Sequence, residues 1–253
     1  MQTLAELRTR TRHDVMLRGD NSSYVALGRF PAGELARILP RDMSVPSAEV
    51  MADRYPELDA IDGTHPVLML FSHCRNVHDV ITEITLRPYR ELMFFIPVTY
   101  SRGGQERLCS YVPVLYLDYL IGVVGGLYLG LRKQFHPRMR DVEADATRRF
   151  TVGTVLDASF EELDTGGGDL DPFFARTLAN PTTTRSYFGR ARFYTTTVDA
   201  TEVTDVAADI VWRFKGSEVR NEMGFPAHHV EYRFTTSQAM SYEAYFHPRH
   251  APT

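Results

Sequence analysis

The amino-acid sequence predicts a mostly β chain of the α+β kind: a curved antiparallel sheet or barrel with a few short helices covering an end. Runs rich in Val, Thr, Tyr and Phe with partial period-two alternation recur along the chain, as in His229 to Thr235. Turn signals built on Gly and Pro separate them, and the helical stretches are few and short. A barrel or sandwich of 253 residues is commonly undivided, so residues 1–253 are read as one domain.

Leu4 to Arg12 has the pattern of a short helix, and Ser23 to Phe30 that of a strand after the turn-like Gly19-Asp20-Asn21. Glu34 to Leu39 makes a short helix ended by Pro40, and the polar, Pro-containing stretch to Pro56 reads as irregular. Val67 to Ser72 and Glu91 to Tyr100 are apolar strands. Ser101-Arg102-Gly103-Gly104 returns the second of them into Leu108 to Leu117, a hairpin with a multi-residue loop. Leu117 to Leu131 carries Gly122, Gly126 and Gly130 on one helical face, which predicts a buried helix that lets a backbone or ligand come close. Arg148 to Asp157 reads as a strand, Asp164 to Asp171 as a flexible loop and Phe173 to Ala179 as a short helix. Ser186 to Asp199, Val203 to Phe214 and His229 to Thr235 are strands, with Lys215-Gly216 as a turn.

Composition removes several function classes. A net charge of −4 and a pI near 6.1 offer no broad positive field, so no nucleic-acid partner is expected. Two cysteines, Cys74 and Cys109, are too few for a disulfide-stapled secreted domain, and a reducing cytoplasm fits best. The N-terminal MQTLAELRTRTRH lacks the apolar core of a signal peptide. Tyr116 to Leu131, the most apolar stretch, contains Asp118 and falls short of the roughly 20 residues of a membrane span, so no membrane partner is expected. Neither G-x-G-x-x-G nor G-x-x-x-x-G-K-[ST] occurs, so no nucleotide cofactor is expected, and no G-x-S-x-G marks a hydrolase.

Of the 28 basic residues only Lys133 and Lys215 are lysine, so any side-chain amine chemistry must use one of two positions. Lys133 follows the Gly-rich helix. In a dry pocket its pKa would fall from about 10.4 and the neutral amine would attack a ketone; in water it would merely complement the helix C-terminus. Lys215 reads as an exposed turn residue. Glu91 opens an apolar strand, where a carboxylate is costly unless paired or protonated. It is either an acid/base group or the partner of Arg87 or Arg90. His65, His73, Cys74 and His78, with His228 and His229, raise a metal site, but their spacing matches no recurrent zinc pattern and none is expected.

Tyr89-Arg90-Glu91, Ile96-Pro97-Val98, Leu115-Tyr116-Leu117-Asp118, Gly125 and Lys133 together resemble, in order and spacing, the centre of the acetoacetate decarboxylase superfamily, itself the standard case of a lysine activated beside a second cation. Weaker similarity extends through Tyr24 to Pro40 and the strand pair around Ala200 to Asp205. The resemblance implies a cone-shaped antiparallel β-barrel around an apolar cavity, assembled as a homo-oligomer. Lys133 then falls on the Schiff-base lysine and Glu91 on the active-site glutamate. The family's second lysine falls on Gln134, its preceding proline on Arg132, and the Arg-Glu after its glycine on Gly126-Leu127. Its N-terminal active-site arginine falls on Asn21 and a second glutamate on or near Phe71. Asn21, Phe71, Tyr128, Arg132 and Gln134 are therefore the candidate substrate-binding residues.

The function expected is a Schiff-base lyase acting on a small keto acid without a cofactor, through decarboxylation of a β-keto acid at Lys133. An imine-based aldolase, dehydratase or cyclase acting on a larger oxo compound is the nearest alternative. A non-catalytic small-molecule-binding barrel is the alternative of a different class.

Overall fold

The structure, a computed structural model, describes residues 15–58, 63–80, 83–129, 131–144, 147–185, 191–214, 217–220 and 226–237. In chain order the elements are β1 Val15–Pro31, α1 Ala32–Ile38, β2 Met43–Ser44, α2 Ala48–Arg54, β3 Thr64–Asp79, β4 Ile84–Thr85, β5 Tyr89–Arg102, β6 Gln105–Tyr111, β7 Leu115–Leu117 and α3 Leu120–Leu129. They continue with β8 Lys133–Phe135, β9 Met139–Ala144, β10 Thr147–Val152, β11 Leu156–Gly167, α4 Pro172–Ala179, β12 Thr182–Arg185, β13 Ala191–Tyr194, β14 Thr196–Phe214, β15 Ser217–Arg220 and β16 Ala227–Ser237. The mostly β architecture with a few short helices is the one expected from the sequence. All sixteen strands belong to one sheet, whose main path runs β13-β12-β6-β5-β3-β1-β15-β14-β11-β10-β9, with β16 joining β1 to β14. Among the described residues no ladder joins β9 to β13, so the expected barrel is a curled sheet that backbone pairing does not close.

The curl leaves two apolar faces. One packs Tyr24, Phe71, Phe94, Phe150, Phe160 and Trp212 together, with the Trp212 ring stacked on Phe94 at 3.5 Å between centroids. The other packs Val25, Leu70, Phe95, Leu115 and Leu117 beneath Phe173 and Phe174 of α4. A strand buried on both sides reads as a continuous apolar run, which is why Val67 to Phe71 and Leu92 to Val98 are so uniformly apolar.

Several elements differ from the expectation for physical reasons. The segment from Gly19 to Asn21 is strand, with the register to β3 shifting between Arg18 and Asp20. A side chain at Gly19 would meet Val77 and Phe234 at 3.0 Å, so this glycine marks a bulge in a strand. The stretch before Pro56 contains α2, capped by Ser47, whose hydroxyl accepts from Val50 N at 3.3 Å. Gly103 and Gly104 make a two-residue turn with φ +61° and +77°, tighter than the loop expected. Leu108 to Leu117 is two strands, parted at Val112-Pro113-Val114, because proline cannot donate to a ladder. Arg148 to Asp157 is a hairpin turning at Gly153, φ +50°, and Asp164 to Gly167 extends β11. The helix α3 is half-exposed, with Leu120, Ile121 and Val124 facing outward; only its Gly122 and Gly126 side is buried. Leu4 to Arg12, Gly130, Ser186 to Arg190 and Lys215-Gly216 lie outside the described residues. Among those described, no helix is long and apolar enough to cross a membrane.

Candidate active site

Period-two alternation builds the site wall. In β5 the odd residues Tyr89, Glu91, Met93 and Phe95 face one cavity, while Leu92, Phe94 and Ile96 face the opposite core. In β3 Leu70 and Cys74 face the cavity, as do Leu17 and Asn21 of β1 and Tyr232, Phe234 and Thr236 of β16. The lining is completed by Leu178 of α4, Thr182 and Thr184 of β12, Tyr194 of β13, and Thr196 and Val198 of β14. The cavity is partly open and measures about 120 Å³, comparable with the roughly 150 Å³ apolar cavity that admits benzene.

Lys133 reaches this cavity through an unusual piece of topology. The short strand β7 pairs antiparallel with β5, Leu117 opposite Glu91. It also pairs parallel with β8, Leu115 opposite Lys133. Residues in register share a face, so Glu91 and Lys133 flank the Leu115–Leu117 strand on the same side of the sheet. Each is only 6% exposed. The stem of Lys133 lies against α3 where a side chain is missing: a Cβ on Gly126 would stand 2.7 Å from Lys133 Cγ and 3.0 Å from its Cε. The small helical face read from sequence accommodates the lysine itself.

Burial raises the Glu91 carboxyl above its ordinary value, while the Lys133 charge and the Tyr89 hydroxyl pull the other way. Tyr89 donates to Glu91, and burial first, then the neighbouring Cys74 and Glu91, lift the Tyr89 hydroxyl well above its usual range. Cys74 Sγ lies 4.0 Å from Glu91 Oε2, and burial likewise drives its thiol up. Across the cavity Asn21 Nδ2 donates to Tyr232 Oη at 2.9 Å. Ser23 Oγ donates to the same oxygen at 3.2 Å, and burial pushes the Tyr232 hydroxyl up to about 12. The site thus holds an amine, a carboxyl biased toward its protonated form, and several neutral hydrogen-bonding groups, in largely apolar walls.

Of the residues singled out from sequence, Lys133, Glu91 and Asn21 line the cavity. Phe71, Arg132 and Gln134 do not, which corrects their expected place beside the substrate. Phe71 has the wrong strand parity and packs against Phe150 and Phe160 at 5.9 and 5.4 Å. Arg132 acts on Tyr111 and Tyr116, both packed in the opposite core. Gln134 pairs in register with Tyr116 and faces away from Lys133, its neighbour in β8. Tyr128 belongs to α3 by its backbone, and its side chain lies outside the described residues. His65 Nε2 bonds Pro97 O at 2.7 Å, and His78 Nδ1 bonds Thr85 Oγ1 at 3.3 Å. His73 is next to cavity-facing Cys74 and takes the other face, so these residues do not converge. Sequence reasoning missed Tyr89, Cys74 and Tyr232 as wall residues, although continuing the alternation from Glu91 would have found Tyr89.

The curled, mainly antiparallel sheet has an acetoacetate decarboxylase-like fold. No family model and no curated protein matches it in sequence. Among solved structures it is similar to the acetoacetate decarboxylase of Legionella pneumophila, with TM-score 0.61 and 12% identity over 90% of this chain and 89% of that one. It is also similar to the enduracididine biosynthesis enzyme MppR, bound to the condensation product of pyruvate and imidazole 4-carboxaldehyde, with TM-score 0.59 and 13% identity over 89% of each chain. An acetoacetate decarboxylase-like enzyme from Sphingomonas wittichii RW1 gives TM-score 0.58 and 10% identity over 90% and 93%. At such identities the likeness is one of fold.

Proposed function

We propose that this protein is a carbon–carbon lyase that forms an imine between Lys133 Nζ and the carbonyl of a small oxo compound, with Glu91 as the proton carrier. The observation that carries this reading is the burial of Lys133 and Glu91 on one wall of one cavity. The Lys133 nitrogen adds to the carbonyl carbon, and water leaves as the C=N bond forms. The resulting iminium then accepts the electron pair of a breaking C–C or C–H bond. Glu91 hands a proton to the departing oxygen or to the enamine carbon, a role suited to a carboxyl that burial keeps protonated to higher pH. Apolar walls protect the imine from hydrolysis by bulk water.

With a β-keto acid this sequence releases CO2 and leaves an enamine; protonation at carbon returns it to the iminium, and addition of water then releases the ketone and restores the Lys133 amine. With an aldehyde as second reactant the same enamine adds to it, and loss of water gives a condensation product. This second reaction is supported by the condensation product held by the structural neighbour MppR.

Borohydride in the presence of a panel of ketones and keto acids should fix one reduced adduct mass on the chain, and peptide mapping should place it on Lys133. A CO2 assay and product mass spectrometry then separate decarboxylation from condensation. Turnover persisting in Lys133→Ala would remove both reactions, and ligand binding without any adduct would make the protein a binding barrel.

A further inference from the structure

The two directions along β5 from Glu91 are chemically different. Toward the start of the strand stands Tyr89, whose cross-strand partner is Cys74, and the same row continues through Asn21 to Tyr232; each of these side chains carries a polar atom. Toward its end stand Met93, paired with Leu70, and then Phe95. The pairing of β5 with β7 runs Glu91 to Leu117 and Leu92 to Tyr116, so the next step leads to Met93 on one strand and Leu115 on the other. Leu115 is the register partner of Lys133. The amine therefore projects from a row whose other cavity-facing members, Leu115, Met93 and Leu70, are hydrocarbon or thioether, with Phe95 and Val112 beyond them. Past Val112, whose backbone N–H bonds Thr183 O, β12 adds Thr182 and Thr184; the Thr184 Oγ1 is buried below the wall surface. From Met93 to Phe95 the strand advances roughly 7 Å, the length of a short alkyl chain.

A carbonyl carbon held at Lys133 Nζ thus has unlike surroundings for its two substituents. The one that reacts turns to Glu91 and Tyr89, where a proton can be moved. The other is left against Leu115, Met93 and Leu70, where each methylene withdrawn from water is favourable and an oxygen atom loses its hydration. We infer that the cavity selects an oxo compound whose non-reacting substituent is a short hydrocarbon chain, with Met93 as a specificity-determining residue. This selectivity rests on the imine reading for the position of the carbonyl, and it applies to CO2 loss and to condensation alike. It places ketones and β-keto acids with a longer alkyl chain above their methyl homologues.

The test uses the intact chain and four probes: acetone, 2-butanone, 2-pentanone and methoxyacetone, in which an ether oxygen replaces one methylene of 2-pentanone. Ligand-detected NMR gives their dissociation constants, and borohydride adducts on Lys133 are quantified by mass, with each probe's reaction with free Nα-acetyl-lysine as the reference. Each methylene added from acetone to 2-pentanone should tighten binding and raise capture about two- to fourfold, and methoxyacetone should fall several-fold below 2-pentanone. Met93→Asn should bring the ratio of 2-pentanone to acetone close to that of the free amine, while the series on the parent chain remains as the readout if that variant does not fold. Binding that tightens with chain length but leaves no adduct from any probe would keep this inference and remove the imine. A flat series, methoxyacetone equal to 2-pentanone, a folded Met93→Asn with the parent's ratio, or no binding by any probe would overturn it.

Discussion

Gly126 is without a side chain where Lys133 needs the room. An alanine Cβ there would press on the lysine stem at Cγ and Cε. In the helix interior the same change gains about 1 kcal/mol of propensity, while crowding costs roughly 1–3 kcal/mol. Gly126→Ala should therefore cost up to about 2 kcal/mol in urea denaturation and lower borohydride capture at Lys133 by tenfold or more; unchanged capture would show that the contact is irrelevant to the amine. Glu91 makes a second residue-level prediction. Its carboxyl is raised above 4.5 in the folded protein, so between the unfolded and folded pKa values the native state binds more protons than the unfolded chain. Stability then falls as pH climbs from 4.5 through the folded value. Glu91→Gln should flatten that fall in a series of urea midpoints against pH, and a variant whose profile parallels the parent's would refute the raised carboxyl.

At the scale of elements, the β5–β6 hairpin and the β5–β7–β8 ladder do different work. Gly103 and Gly104 both hold positive φ, and nothing lies within 4 Å of a Cβ at Gly104, so the cost of a side chain there is backbone strain alone. Gly104→Ala should cost about 1–2 kcal/mol in urea unfolding and leave imine capture by Lys133 intact, since the turn is at the far end of β5 from Glu91. Loss of capture would mean that the hairpin sets the site geometry. The β7–β8 ladder is only three residues long, yet it sets which side of β8 faces the cavity. A one-residue slip would present Gln134 and bury Lys133 in the opposite core.

For the whole molecule, His65 ties β3 to β5 from inside. Burial holds its pKa down to about 4 from 6.5, and its ring bonds the carbonyl of Pro97. The unfolded chain takes up this proton first, so stability present above pH 6.5 is lost as pH falls toward 4, by about 3 kcal/mol at most. His65→Gln should remove that part of the acid sensitivity while lowering stability at neutral pH. Acid unfolding that follows the parent's curve would rule the histidine out as its source.

The β class and the short helices were legible in the sequence, because strand propensity, period-two alternation and glycine spacing are properties of short stretches; local pattern left Lys133 and Glu91 open, and only the family resemblance paired them. The choice between a solvated lysine and a buried one was not legible. It depends on β7 lying between two strands remote in sequence, on the void at Gly126, and on threonines of β12 and β14 completing the lining. Arg132, Gln134 and Phe71 were candidates because family positions fall on them, but an extended backbone sends alternate side chains to opposite faces, and these three point away from the cavity. Local pattern determines which faces are apolar; only long-range pairing decides which side chains meet across them.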